Sequence, residues 1–338
     1  MNPTPAFQRT IFQAGLAVLG AAVLAACGGG GGADSSLTAT NAQGYAADSA
    51  TMSVSAASSA DSSISTIETA LTATLAPTAA GAPQMQAQAT ASAVSTGGSG
   101  TCANGGSVSW TVTAPTLALA TNGQFDSGES YSVTYTNCGS PDGDAVLDGN
   151  ATLVVNTRTA TTVDITHSTT ALTLTTLTGK WVTSGSTHAV RSVVDTSSGG
   201  VQFTSQFTSS GITLDSTIGA RQAHYALKSL SWTVVRTYDA TGVLTARSHQ
   251  GSVAIDASTP RRPNATLQVT TNGALTVGSD GLATSGSFSL ITAHDTIACT
   301  YGSGSGSGSV TLTLDLGSDG KIDGTWTLTR TVFNGEAG

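Results

Sequence analysis

From residue 102 onward, the chain alternates apolar and polar residues in short segments, with Thr on the polar positions. In residues 230–234 every even position is apolar, and in residues 311–314 Thr and Leu alternate without interruption. A period of two is typical of strands with one buried face, whereas parallel strands buried on both faces show continuous apolar runs. The pattern therefore predicts antiparallel strands.

Asn-Gly and Asp-Gly pairs separate many of these segments and supply the positive φ angles that tight hairpin turns require. They begin at positions 104, 122, 142, 148, 272, 280, 319 and 323. The clearest hairpin has its turn at 239–242, and no helical stretch of 12 residues follows Cys102. We predict an all-β body with a dozen or more strands, arranged as a large antiparallel meander or sandwich. A half-barrel with an apolar concave face is the alternative.

The N-terminus carries an uncharged, mostly apolar run at residues 11–26, with Arg9 just before it. A transmembrane helix needs about 20 apolar residues, so this run of 16 is short for one. It ends in Leu24-Ala25-Ala26-Cys27, which reads as a lipobox, the site cut between Ala26 and Cys27. We therefore predict that residues 1–26 are a signal peptide absent from the mature chain.

Residues 1 to about 32 resemble the export signal of bacterial lipoproteins. The resemblance implies that the Cys27 thiol accepts a diacylglyceryl group, and that several acyl chains, palmitate among them, anchor the protein in a membrane. Gly28 follows the cysteine where an Asp would retain the protein at the inner membrane, so the resemblance implies an outer-membrane location. Whether the protein faces the periplasm or the cell surface is left open.

Residues 27–100 have a composition typical of a tether. Five glycines follow Cys27, and Ala, Ser, Thr and Gly dominate up to Gly100. Such a segment buries too little apolar surface to offset its chain entropy, so we predict a mostly disordered linker. One short helix is predicted at 61–75, where apolar residues recur at helical spacing. The all-β domain is predicted at 101–338.

Charge is scarce along the whole chain. The 338 residues include 12 Lys and Arg against 20 Asp and Glu, a charged fraction of 9% and a net charge of −8. Ordinary soluble domains carry about 25% charged residues. A nucleic-acid partner is excluded, because phosphates are bound by clustered Lys and Arg.

Three cysteines remain once Cys27 is set aside as the lipid anchor. Cys102 and Cys138 flank a predicted hairpin, and disulfides form in exported proteins, so this pair is our first choice. Cys299 is then either buried and free or the true partner of one of the other two. No Cys-x-x-Cys motif or clustered His accompanies them, so neither a metal site nor a cofactor is predicted.

A second resemblance covers residues 101–153. Here C-x-x-G-G-S-V is followed by N-G-x-F-x-x-G-E-S-Y-S-V-T-Y-T-N-C. This is similar to proteobacterial lipoproteins of unknown function, in which an acidic loop precedes a strand ending in Asn-Cys. In this chain Ala118 and Ala120 replace two carboxylates of that loop, while Asn122 and Glu129 remain. Ca²⁺ needs several oxygen ligands, so a hairpin turn is favoured over a calcium site.

No catalytic constellation is recognisable. His-Glu-x-x-His, Gly-x-Ser-x-Gly and Gly-x-x-x-x-Gly-Lys motifs are all missing from the sequence. His294 and Asp295 are adjacent, but neighbouring side chains on a strand point to opposite faces. Among the tryptophans, Trp232 and Trp326 are expected in the core, and Trp181, beside Lys180, is the best candidate for an exposed aromatic.

The sequence therefore predicts a lipid-anchored outer-membrane lipoprotein that acts as a non-catalytic binding or structural module of the cell envelope. Its partner would be an envelope protein, a glycan or a lipid. Two alternatives stay open: a carrier of apolar ligands such as lipid in a half-barrel cavity, and a hydrolase without a recognisable motif.

Overall fold

A computed structural model describes residues 37–46, 93–122, 125–140, 143–177, 179–218, 221–258, 265–278, 283–302, 308–330 and 332–333. Its strands form one 16-stranded antiparallel sheet. The prediction of an all-β meander is confirmed. The strands belong to one continuous sheet rather than to the two separate sheets of a sandwich.

The strands follow each other in chain order. They are β1 (Val94–Thr101), β2 (Ser107–Ala114), β3 (Ser130–Gly139), β4 (Ala145–Arg158), β5 (Thr162–Thr176), β6 (Lys180–Asp195), β7 (Val201–Ser209), β8 (Ile212–Ile218), β9 (Arg221–Tyr238), β10 (Leu244–Ser258), β11 (Ala265–Thr271), β12 (Leu275–Val277), β13 (Ala283–Ile291), β14 (Thr296–Tyr301), β15 (Ser309–Asp315) and β16 (Gly324–Thr329). A short helix, α1 (Leu117–Thr121), precedes β3, and a 3₁₀ turn (Leu316–Ser318) follows β15.

Most strands pair with the strands before and after them in the chain. The exceptions are β7 and β8, which lie end to end between β6 and β9, and β11 and β12, which share the place between β10 and β13. Gly185 of β6 faces the break between β7 and β8. A Cβ at this position would lie 2.6 Å from the Cα of Ile212 and 2.8 Å from the carbonyl oxygen of Gly211. The close approach of the two backbones therefore requires glycine at 185.

The inner face of the sheet is apolar and buried, as the period-two pattern predicts. One row of cross-strand neighbours runs through Ile165, Ala189, Phe207 and Trp232, and all four are buried. Each large side chain buried in this way contributes about 1.5–3 kcal/mol. The same face continues through β13, β14 and β15. Its largest fully buried side chains there are Phe288, Leu290, Ile297, Leu312 and Leu314.

The outer face carries Ser and Thr in the alternate positions. The row beside the buried one runs through Thr166, His188, Thr208 and Ser231. These residues are half-buried or exposed. Thr suits this surface because its branched side chain packs well on a pleated sheet while its hydroxyl stays in water.

Part of the predicted tether packs on the sheet. Residues 42–46 are helical, and Leu37, Ala42, Tyr45 and Ala46 belong to the same buried cluster as Trp232. Thr38 caps this turn, with its Oγ1 accepting from the Asn41 N–H and the Asn41 Oδ1 accepting from the Thr38 N–H. The body therefore includes residues that composition alone assigned to a disordered linker.

The sheet also begins earlier than predicted. β1 starts at Val94, ahead of the predicted domain boundary at residue 101. Its sequence, VSTGGSGT, is nearly free of apolar residues, so its composition resembles that of the linker. Ladder hydrogen bonds to β2 nevertheless hold it as a strand. The predicted helix at 61–75 lies outside the described residues.

The disulfide between Cys102 and Cys138 forms as predicted, and it joins the end of β1 to β3. Cys299 in β14 is free and buried, the first of the two alternatives left open for it. Among the described residues, no helix has the length and apolar character to cross a membrane.

Candidate functional site

Three arginines lie on the inner face of the sheet, at the end that carries the β6–β7 and β9–β10 turns. Arg236 of β9 and Arg247 of β10 are direct cross-strand partners. Arg236 also faces Phe203 of β7, and Arg191 of β6 lies opposite Ser205 of β7. We call Arg191, Arg236 and Arg247 the arginine cluster.

Two aromatic rings pack beside the arginine cluster. The Cζ of Arg191 stands 4.5 Å from the ring centroid of Phe203, a cation–π contact, and only 6% of Arg191 is exposed. Phe203 in turn meets the edge of Tyr238, with 5.8 Å between the ring centroids. A cation–π contact of this kind is worth about 0.5–2 kcal/mol and holds the guanidinium plane in a defined place.

A buried histidine completes the site. The Nε of Arg247 donates a hydrogen bond to Nε2 of His249 over 3.1 Å. Burial, followed by the charges of Arg247 and Arg236, lowers the pKa of His249 to about 3. His249 is therefore neutral at physiological pH. Its Nδ1 has no hydrogen-bond partner among the described residues.

This arrangement is suited to binding an anion. Like charges directly opposite on neighbouring strands repel each other, so the pairing of Arg236 with Arg247 favours negative groups nearby. The guanidinium group presents planar pairs of donors that match a carboxylate or a phosphate. The neutral His249 adds no positive charge of its own, so the electrostatic attraction comes from the arginines.

Sequence reasoning missed this site. A signal for it exists in the phase of the pattern, because Arg236 continues the even-numbered apolar series of Leu230, Trp232 and Val234. An arginine on the buried phase of a strand is unusual, since charged residues are rarely buried without partners. The pairing of strands β6, β7, β9 and β10 brings the three arginines together, and this pairing is known only from the structure.

Asp295 forms a second buried polar feature, at the opposite end of the sheet. It lies in the turn between β13 and β14, where Oδ2 accepts from the Leu37 N–H and Oδ1 accepts from the Gly317 N–H, each over 3.0 Å. Its neighbour His294 is exposed. The carboxylate therefore holds the N-terminal segment and the 3₁₀ turn in place.

Glu129, from the loop that resembles a calcium site, and Asp315, at the end of β15, both accept hydrogen bonds from the backbone. Glu129 is fully buried, and its Oε2 accepts from the Asp126 N–H and from the Tyr131 hydroxyl. Asp315 accepts from the backbone N–H groups of Asp319 and Gly320. These contacts are those of turn-stabilising residues.

The expectation for Trp181 is wrong. Its side chain is only 3% exposed and packs in a second buried cluster with Leu174 and Tyr225. The strand register explains this burial, because Trp181 lies directly opposite the buried Leu174 and its side chain points to the same inner face. Trp232 is buried as expected, and Trp326 is half-buried against the same core.

The predicted cleavage and lipidation residues, Ala26 and Cys27, lie outside the described residues. Neither a protein-family model, nor a curated protein, nor a solved structure matches this chain. Function is therefore inferred from sequence motifs and from the geometry of the sheet.

Proposed function

We propose that this protein is a lipid-anchored outer-membrane lipoprotein, a non-catalytic binding module of the cell envelope whose ligand carries an oxyanion. The lipobox at Ala26 and Cys27 supports the anchor. The arginine cluster on the inner face supports the choice of ligand. The protein faces either the periplasm or the cell surface.

The observation that carries the proposal is the direct pairing of Arg236 with Arg247 on the inner face, with Arg191 two strands away. The protein as a whole is acidic, with a net charge of −8, whereas the arginine cluster concentrates positive charge at one place on the sheet. Positive clusters in partly desolvated positions attract anions more strongly than exposed ones, because water screens them less.

The surroundings narrow the ligand class. Phe203 and Tyr238 place aromatic surface beside the cluster, which favours a small organic anion with a carboxylate or phosphate group over a long polyanion. The acidic head of a glycan or of a lipid has this chemistry.

Two observations favour a binding module over a carrier of apolar ligands and over a hydrolase. The apolar inner face is filled by its own side chains, with Phe207, Trp232 and Phe288 almost completely buried, which speaks against a carrier of apolar ligands. The histidine beside the cluster, His249, has a pKa far below neutrality, which disfavours acid–base chemistry there.

Ligand binding is tested by thermal shift on the mature protein with inorganic phosphate and with benzoate, each against sodium chloride of equal ionic strength. At about 100 times the Kd, binding stabilises the folded state by about 2.7 kcal/mol, and we expect at least one probe to raise the Tm by about 5 °C. The probe that does so distinguishes a phosphate ligand from a carboxylate ligand.

The matched variants are Arg247→Gln and Lys321→Gln, which remove the same charge. Lys321 is 83% exposed and pairs with Asp319 on the surface. We expect Arg247→Gln to abolish the shift and Lys321→Gln to retain it. Equal responses in both variants, or no response to either probe in the unsubstituted protein, would overturn anion binding at the cluster.

The anchor has its own test. Mass spectrometry of the N-terminal peptide from native membranes is expected to show Cys27 as the first residue, carrying acyl chains. Cys27→Ser is expected to leave the protein out of the membrane fraction. An unmodified Cys27 in the mature protein would overturn the lipid anchor.

A further inference from the structure

We infer that the body stands on the membrane with its Asp295 end toward the bilayer and the arginine cluster facing away. This inference rests on the proposed lipid anchor at Cys27. We call the turns at 292–295 and 316–323 the docking end, because the N-terminal segment is attached to the sheet there.

The attachment is specific and buried. The Leu37 N–H donates to Oδ2 of Asp295 over 3.0 Å, and Leu37 is almost fully buried. The same carboxylate accepts from Gly317, so it is fixed on both sides. Behind Leu37, the buried side chains of Ala42 and Tyr45 continue the contact into the apolar core.

This contact shortens the tether. Only nine residues, 28–36, separate Cys27 from Leu37, whereas 66 residues, 28–93, would separate it from β1 if the segment were free. At about 3.3–3.6 Å per residue, the ten steps from Cys27 to Leu37 span at most about 35 Å. A glycine-rich chain of this length has a root-mean-square span of only about 17 Å.

The height of the body exceeds that usual span. Ile291, at the end of β13 beside the docking end, pairs with Gln268 of β11, and Gln268 pairs with Ala254 of β10. These three residues therefore lie at the same level of the sheet. Leu244, where β10 leaves the β9–β10 turn, lies ten residues from Ala254, which is about 33 Å along the strand. With that turn on the bilayer, the tether would be stretched almost fully, to about twice its usual span.

The orientation has a consequence for the ligand. With the docking end nearest the lipid, Arg236 and Arg247 open toward the aqueous compartment. The oxyanion then arrives from solution or from a facing molecule, and the head groups of the supporting membrane lie at the other end of the sheet.

Energy transfer to a rhodamine-labelled lipid tests the orientation in the acylated full-length protein, in vesicles of phosphatidylethanolamine and phosphatidylglycerol. A donor dye is placed at Ile322→Cys in the docking end or at Val243→Cys in the far turn, two positions that are 67% and 59% exposed. Cys299 is buried and Cys102 and Cys138 are bonded, so the unsubstituted protein serves as the labelling control. We expect at least twofold higher transfer efficiency from position 322.

Two changes to the tether test the cause. Asp295→Ala removes the acceptor for Leu37 and is expected to reduce the difference in transfer between the two positions. A 30-residue Gly/Ser insertion after Gly30 leaves Asp295 and Leu37 intact and is expected to equalise transfer from the two positions, so it covers the case in which Asp295→Ala fails to fold. A difference that survives the insertion would overturn the inference.

Mass spectrometry of the Cys27 peptide separates the two proposals. Equal transfer from both positions in protein with an acylated Cys27 overturns the orientation alone. An unmodified Cys27 overturns the proposed anchor, and the orientation with it.

Discussion

The Nε of Arg247 lies 3.1 Å from Nε2 of His249 and donates a hydrogen bond to it. A neutral imidazole that accepts at Nε2 carries its proton on Nδ1. A second proton on the ring would remove the acceptor and place a third positive charge beside Arg247 and Arg236. The arginine cluster and the burial of His249 therefore act in the same direction on its pKa.

Acid is expected to destabilise the protein through this histidine. The folded pKa is about 3 and the ordinary value is 6.5, so between these pH values the unfolded chain binds a proton that the folded protein does not. Stability then falls by about 1.4 kcal/mol per pH unit as the pH drops below 6.5. Urea unfolding at pH 7, 6, 5 and 4 is expected to show a shallower loss in His249→Gln than in the unsubstituted protein.

The control for this experiment is His224→Gln, because His224 is exposed and paired with Asp215 on the surface. Some slope will remain in His249→Gln, since burial lowers the pKa of His167 to about 4. Identical pH profiles for His249→Gln and the unsubstituted protein would contradict the prediction.

Removing the Cys102–Cys138 disulfide is expected to destabilise the body by about 3–4 kcal/mol. The bond closes a loop with a sequence separation of 36, and its loss restores chain entropy to the unfolded state. The measurement is urea unfolding of the double variant Cys102→Ala/Cys138→Ala. If the midpoint of that variant matches the unsubstituted protein, the bond does not constrain the unfolded chain.

Cys299 is expected to resist alkylation in the folded protein. Burial raises the pKa of its thiol, and the thiolate is the reactive form. Reaction with a maleimide should proceed at the rate of unfolding and become fast in 6 M urea, with Cys299→Ala as the unreactive control. Rapid labelling without denaturant would show that β14 is open to solvent.

The contact between Arg191 and Phe203 is expected to contribute about 0.5–2 kcal/mol. A double-mutant cycle with Arg191→Gln and Phe203→Leu measures it, because leucine keeps the apolar contact but removes the π face. We expect the two substitutions to be non-additive in urea unfolding. Strict additivity would mean that the ring does not hold the guanidinium group.

The sequence predicts much of the sheet because its signal is local. Trp232 and Val234 alternate with polar neighbours, and this period places them on one face in any antiparallel sheet. The disulfide is predictable for the same reason, since Cys102 and Cys138 bracket neighbouring strands. The flanks of Trp181, Lys180 and a Gly/Ser turn, favour an exposed position, but its place in the alternation puts it on the buried face.

The candidate site was less predictable. Arg191 and Arg247 are 56 positions apart in the chain, and no local pattern indicates that β6 and β10 bring them to one end of one face. Arg236 occupies a position where the alternating pattern predicts a buried apolar residue. This signal indicates one member of the cluster but not the other two.

Strand periodicity and turn chemistry act over a few residues, so the sequence alone is enough to predict an all-β, antiparallel body with one apolar face. Which residues share a level of the sheet, and where the N-terminal segment is held, depends on contacts between distant parts of the chain. Leu37 and Asp295 are 258 positions apart, and only the folded chain brings that amide to that carboxylate. Composition described residues 37–46 as linker, whereas burial against the completed sheet makes them part of the fold.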